Sequence, residues 1–551
     1  MISRVDSHLG LGAPLDQAGR WLRTVRHLRP VQIYGRIRSR IRKPSVSNCP
    51  SPPRRELRSE LVSGPQLPPC QFGPSTIEFA GNTVSVHSPR DWSSEAVDHL
   101  MLYNLHYFDD LTRQGSSERE SWHRPLLERW IRENPPNSKP GWDPYPTSLR
   151  LVNIIKWLIA GADTSKEILE SLALQARVLS QSVEYHLSGN HLLVNAKALI
   201  FAGCFFCGEE AEQWKALGFE ILSTEIPEQI LQDGAHYERS PMYHALVLED
   251  FLDLIAVLRS FDLSVPKVLS HKIEAMLGWL EAMTHPDGDI ALFNDAAIDI
   301  APKSELLFDY ARRLGFNTPT DVPVGKKAES GYARLEAGDA VAIADFAALG
   351  PNHLPAHGHA DSLSFELSLL GKRVFVNSGT SRYDVGPERH RQRSTSAHNT
   401  LTIDNENSSE VWSSFRVGRR AAVSNVSVTP TTASGTHDGY SHLPGSPVHK
   451  RSFEITETGL SITDTISGEG THKIGLYFHL SPEIAANLSG ASRVQLEGGD
   501  LPPMTLDSSY PVTLEASSYH PRFGSSLKNT RIEGHIETAL PVSLTTEIRW
   551  A

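Results

Sequence analysis

The hydrophobic period of this chain changes once, near residue 330, and that change limits what it can fold into. Before it, apolar residues recur at helical spacing, as in Leu149, Val152, Ile155 and Ile159 of "TSLRLVNIIKWLIA", where Thr147 is the expected N-cap. After it, segments such as "RSFEITETGLSITDTIS" and "HKIGLYFHLSP" alternate apolar and polar residues and are rich in Val, Ile and Thr. An all-α body of sequential helix hairpins followed by a large antiparallel β-sandwich is the expected architecture. The expected divisions are a basic amphipathic arm over 1–43, a Pro/Ser/Arg-rich linker over 44–95, a helical domain over 96–328 and a sandwich over 329–551.

Charge is distributed unevenly. Residues 1–43 hold nine arginines and Lys43 against Asp6 and Asp16, while the whole chain of 551 residues carries a net charge of −11. That balance argues against nucleic acid as a partner. Trp21, Val25, Leu28, Ile33, Ile37 and Ile41 roughly follow helical spacing among the arginines, so the arm is expected to rest on a membrane surface, a protein partner or the chain's own acidic body. The arm lacks the apolar core and small-residue cleavage site of a secretory signal. In the linker, one short strand is expected near Thr76 to Ser85. Four cysteines cannot make a disulfide framework, and Cys204 and Cys207 read as core thiols.

Chemistry concentrates around some of the 24 histidines. In "NHLPAHGHADSLSFEL", His357, His359 and Asp361 lie two apart, and would share a face if a strand begins there; two imidazoles and a carboxylate suit a metal or acid–base work. In "RHRQRSTSAHNTLTIDN", Arg389, Arg391 and Arg393 precede His398 at a strand entrance and suit an anionic ligand. Asn190 and His191 open a helix in "SGNHLLVNAKAL". His236, Tyr237, Glu238, Arg239, Tyr243 and His244 crowd the start of another, where Tyr243 is a candidate proton donor. Trp142, Tyr145 and His106 suit either sugar stacking or core packing. Asp287, Asp289, Asn294 and Asp295 form a polar turn without the closing Glu of a calcium loop.

Taken together, "GNHLLVNAKAL", "DGAHYERSPMYH", "HGHADSLSFEL", "FVNSGTSRY" and "RSTSAHNTLTIDN" resemble the heparinase II/III family of polysaccharide lyases, in the family's order and over roughly 95–551. The resemblance implies an incomplete (α/α) toroid followed by an antiparallel β-sandwich, and β-elimination on an anionic, uronate-containing polysaccharide. It implies that Asn190, with His191, binds the substrate carboxylate, that Tyr243 is the acid or both acid and base, and that His357 is the base or charge neutraliser. Glu238, Arg239, Trp142, Tyr145 and Arg393 are the expected further substrate contacts. His359 and His398 match the family's positions for zinc or another structural divalent metal. The third family ligand is an aspartate where this chain has Asn377, a poor zinc ligand, which leaves Asp361 as the candidate substitute. No organic cofactor is expected.

The family implies a bacterial protein of the cell envelope or periplasm; without a signal sequence, a cytoplasmic or membrane-peripheral location is the alternative. The basic arm resembles family members that accompany the making of bacterial surface polysaccharide. Two other classes stay open: a non-catalytic glycan-binding protein, and a toroid glycoside hydrolase using Glu238 with Asp361 or Asp289.

Overall fold

The computed structural model describes residues 14–41, 43–47, 49–319 and 328–550, with side chains from residue 17 onward. Residues 1–13 and 42 of the expected arm lie outside the described residues. The rest of the arm is two helices rather than one, α1 (Pro14–Val25) and α2 (Pro30–Ile41), broken before Pro30, whose ring cannot continue a helix. The linker runs extended over the helical body, with Arg55 N bonded to Phe205 O and Cys207 N to Pro53 O. It then forms a three-stranded antiparallel sheet (Gln71–Gly73, Thr76–Phe79, Asn82–Ser85), not the single strand expected.

The helical body contains α3 (His99–Leu105), α4 (Glu120–Glu133), α5 (Pro144–Ile159), α6 (Lys166–Ser182), α7 (Gly189–Phe205), α8 (Glu209–Gln229), α9 (Pro241–Ser260), α10 (Lys267–Ala282) and α11 (Ser304–Arg313). α7 is buried on every face except at His191, and α5, α8 and α9 pack around it. A helix apolar all round belongs at the centre of its bundle. α5 begins one turn earlier than Thr147 suggests. Asp143 is its N-cap residue and Pro144 fills the first position, where a missing N–H costs nothing, so Thr147 is buried inside the helix.

Beyond residue 331 the chain is antiparallel β-structure, interrupted by one short helix, α12 (Pro387–Arg393). An eight-stranded sheet and two four-stranded sheets form it, beside a two-stranded ribbon of Val411–Trp412 and Arg416–Val417. Alternation does the sorting: in Val448–Thr456 the residues His449, Arg451, Phe453 and Ile455 point inward, and their neighbours outward or half-outward. The sandwich has its own apolar core, from Ala333 and Phe346 to Ile548 and Trp550. A smaller cluster joins Trp279, Met283 and Phe293 of the helical side to Tyr332, Val341 and Ile343 of the sandwich and fixes the junction between them. All four cysteines are free; Cys204 is buried, as a core thiol should be, but Cys207, expected to join it in the core, lies just past the end of α7 and is only half-buried.

Candidate active site

Three helix N-termini converge at the junction. Tyr145 stands in the first turn of α5, Asn190 and His191 in that of α7, and Tyr243 in that of α9. The Tyr145 and His191 rings lie 4.5 Å apart, both half-buried. Helix N-termini carry partial positive charge and free N–H groups, so this end of the bundle favours an anionic group. The entry to α7 is tightly shaped. Ser188 and Gly189 both take left-handed backbone conformations, with φ of 59° and 61°. A side chain on Gly189 would strike the Glu238 carboxylate, which reaches Asn190 through that gap.

Glu238 is buried and accepts from Asn190 three times, from the backbone N at 2.9 Å and from Nδ2 at 3.2 Å to each carboxylate oxygen. The sandwich supplies His357 from a loop. Its Nε2 is 3.3 Å from Glu238 Oε2 and its Nδ1 is 2.9 Å from Asp295 Oδ2. The Tyr243 and His357 rings lie against each other, 4.1 Å apart and tilted by 34°, and the Tyr243 hydroxyl meets that of Tyr383 at 3.0 Å. Asn190, Tyr243 and His357 are therefore brought together across the two bodies, with the Phe415 ring edge-on to His357 at 5.9 Å.

Asp295 is the hub beneath them. One oxygen takes His357; the other takes His359 Nε2 at 2.9 Å; and the Arg389 guanidinium grips both oxygens. Burial opposes its charge, but Arg389, His357 and His359 outweigh burial and hold the carboxyl well below the usual carboxylate range. Glu238 behaves alike: burial would raise it, and His357, His236 and the Asn190 N–H keep it low. Tyr243 goes the other way. Burial, then Tyr383, pushes its phenol well above its ordinary value, so it rests protonated.

Several expected contacts lie elsewhere. Arg393 is wholly buried and donates to the carbonyls of Gly358, Ser413 and Ser414. Arg389 is buried beside it on Asp295, and Arg391 pairs with Glu388, so α12 braces the His357 loop from below rather than meeting a ligand. Trp142 is core: it stacks on Trp130 and donates to Asn134 O. His106 is sealed between Trp92 O and Trp130 Nε1. Arg239 ties the helical body to the carbonyls of Ala348 and Glu329. Asp287 and Asp289 pair with Arg373 and Lys303, which leaves no calcium loop. Tyr383 was not singled out from the sequence, and Asp295 and Arg389 were read there only as part of a polar turn and as an anion contact, not as the paired support of His357. The one signal was an Asn-Asp pair inside the apolar run "ALFNDAAI", because an acid in such a run must be buried and therefore partnered.

The expected shared strand face does not exist, because residues 357–361 form a loop and the strand begins at Phe365. Asp295 joins His357 and His359 instead. His359, Asp361 and His398 are buried, with one ligand atom from each lying within 4.8 Å of the others. His359 Nδ1 and His398 Nε2 have no hydrogen-bond partner among the described residues. Burial pushes His359 down to about 4 and His398 well below its ordinary value, so both rings offer neutral nitrogens, and it raises Asp361 to about 6. This donor set fits a divalent ion. Asn377 stands behind it, its Oδ1 3.1 Å from His398 Nδ1, in the orienting place of a group one layer out from a metal.

The sequence profile described as "Heparinase II/III N-terminus" matches residues 114–312, and that described as "Heparinase II/III-like, C-terminal" matches 320–551. A heparin-sulfate lyase of Bacteroides stercoris is 25% identical over 460 residues, covering 72% of this chain and 66% of that protein. One of Pedobacter heparinus is 26% identical over 391 residues, covering 64% and 57%. The chain thus spans less than two thirds of the length of these curated relatives. Among solved structures, heparinase III superposes with a TM-score of 0.66 at 19% identity, over 81% of this chain and 77% of that one. The heparan sulfate lyase HepC from Pedobacter heparinus gives 0.59 at 20% identity, over 94% and 87%. These likenesses establish the fold as a helical toroid followed by an antiparallel sandwich. With the two profiles covering more than three quarters of the sequence in matching order, the chain belongs to the heparinase II/III-like family.

Proposed function

We propose that this protein is a polysaccharide lyase that cleaves a uronate-containing glycan by β-elimination. The observation that carries the reading is the close approach of the Tyr243 and His357 rings, 4.1 Å apart, beside Asn190 at the convergence of three helix N-termini. Removing the C5 proton of a uronate requires its carboxylate charge to be stabilised as the enolate-like intermediate forms. Asn190 Nδ2 and the helix N-termini would supply that stabilisation. Asp295 is the closer of the two carboxylates facing His357, and would hold a hydrogen on Nδ1 and leave Nε2 to take the C5 proton. The imidazolium so formed would then be held by Asp295 and Glu238 together. Tyr243, protonated at rest, would donate its hydroxyl proton to the leaving glycosidic oxygen, as the C5–H and C4–O bonds break and the ring double bond forms. The proton on His357 would return to Tyr243 or to solvent when product leaves.

Both curated relatives are named heparin-sulfate lyases, which supports a glycosaminoglycan-like substrate, and their bacterial sources support an envelope or exopolysaccharide glycan. A divalent ion on His359, Asp361 and His398 belongs to the same proposal. It would act structurally, fixing the sandwich face under the His357 loop. The hydrolase reading finds less support. Asp361 lies in the His359–His398 cluster, and Asp289 pairs with Lys303. Both are engaged there, whereas hydrolysis needs a second carboxylate free to flank the bond.

The test is incubation of the purified protein with a panel of uronate polymers, read by the ultraviolet absorbance of the conjugated unsaturated uronate. Absorbance should rise with at least one polymer and stay flat with the Tyr243→Phe protein. Binding of a polymer without any such product would favour the glycan-binding reading.

A further inference from the structure

α2 is folded inside out. Its one buried side chain is polar: Gln32 donates to His353 O at 3.0 Å on the sandwich side. Gly35 lies against His186 of the helical body so closely that a β-carbon there would sit 2.9 Å from the His186 Cβ. The opposite face is apolar and bare: Ile33, Tyr34, Ile37 and Ile41 are 52%, 65%, 53% and 79% exposed. Residues three and four apart share a helix face, so Tyr34, Ile37 and Ile41 make one stripe, with Ile33 at its edge. At about 100° per residue, Arg38 falls on one flank of that stripe and Arg40 and Arg36 on the other. All three are exposed, and Lys43 follows.

α1 shows that the arm has a place on the protein, so the bare face of α2 is not a docking surface left unused. Arg20 and Arg23 pair with Glu410, the Trp21 ring meets that of Trp412 edge-on at 4.9 Å, and Arg29, at the turn, pairs with Glu228 of α8. The arm therefore spans sandwich and toroid, and it holds α2 with its polar side inward.

We propose that the outer face of α2 docks on an anionic lipid bilayer. The charge argues for lipid over a second copy of this chain. The stripe is flanked by cations on both sides, so the same helix of a second copy packed against it would set arginine against arginine, whereas phosphate headgroups bring the opposite sign. The residue types match an interfacial helix: isoleucines to enter the acyl boundary, a tyrosine at headgroup level, and arginines whose stems reach along the apolar face while their heads stay with phosphate. No described helix is long and apolar enough to cross a membrane, so α2 would lie in the interface and not span it.

The test uses the full chain and flotation with phosphatidylcholine vesicles, with and without phosphatidylglycerol. The protein should float with the anionic vesicles only, and salt should weaken the association. Ile37→Glu/Ile41→Glu should abolish it. Arg36→Gln/Arg38→Gln/Arg40→Gln should cost on the order of a hundredfold, at roughly fivefold for each cation beside an anionic surface. All these side chains are exposed, so an unchanged thermal melt should confirm that the variants fold. No flotation, or flotation that the isoleucine variant retains, would overturn the proposal. So would a dimer in sedimentation that the isoleucine variant dissolves, because that outcome gives the face to a second copy.

Discussion

Two clusters in this molecule are built from the same residue types and have different fates. At the junction, His357, His359 and Arg389 surround Asp295. Inside the sandwich, His449 and Arg451 surround Asp464, at 2.6 and 2.7 Å, and His437 reaches His449 at 3.1 Å. In the second cluster every imidazole nitrogen is taken: His437 Nδ1 by the Gly439 N–H, the two facing nitrogens by each other, and His449 Nε2 by Asp464. All four side chains are buried, so the cluster can only hold the strands Val448–Thr456 and Gly459–Ser467 in register, where Arg451 stands directly opposite Asp464. The junction cluster differs at both of its rings, and His359 keeps an unpartnered Nδ1 among the described residues. His357 keeps an exposed edge and lies against a phenol carried by the other body. A His–Asp–Arg set is thus a structural tie or a site according to whether one nitrogen and one proton donor can reach a ligand.

The largest expected effect separates the two clusters by activity. Tyr243→Phe should lower turnover by about 10²–10⁴-fold, equivalent to roughly 3–5.5 kcal/mol of barrier, with little change in melting temperature. Asp464→Asn should do the reverse. It leaves the Arg451 guanidinium buried without its counter-charge, a loss of about 3–5 kcal/mol of stability, while turnover per folded molecule stays near wild type. Chemical denaturation together with active-site-normalised rates would read both.

A smaller effect follows from acid. Burial would raise the Asp464 carboxyl, but Arg451 and His449 outweigh it and hold it below its ordinary value. A carboxyl depressed in the folded state adds stability above its unfolded value of about 3.9, and that stability is lost as pH falls through the folded value. The wild type should therefore lose more stability below about pH 4 than Asp464→Asn does, a difference readable from denaturation curves at stepped pH. The smallest effect concerns the metal. His398→Ala should lower the divalent-metal content found by elemental analysis, and should reduce turnover less than Tyr243→Phe does.

The sequence showed part of this. Asn190 and Tyr243 were legible because each stands at a punctuated helix start, and His357 because it lies in a histidine-dense stretch of a recognisable motif. The period change near residue 330 gave the two bodies. Burial was not legible from residue type. Arg393 and Trp142 look like ligand contacts, yet their polar atoms are spent on backbone carbonyls. The Arg389–Asp295 tie joins residues 94 apart, and no spacing rule reaches that far. The inner places of Arg451 and Asp464 follow from strand alternation, since they share parity with Phe453 and with Ile462 and Ile466. For α2 the hydrophobic spacing was visible, but not which way its apolar face turns.

The central claim is that bond cleavage here is elimination, driven by His357 and Tyr243 on one sugar. The most direct test is a digestion in oxygen-18 water of whichever uronate polymer the protein cleaves, with products read by mass spectrometry. The account predicts an unsaturated uronate at each new non-reducing end and no oxygen-18 fixed by cleavage, with both product ends absent for Tyr243→Phe. Saturated uronate at the new non-reducing ends, with one oxygen-18 at the anomeric carbon of the new reducing end for each bond cleaved, would contradict it and make the enzyme a hydrolase.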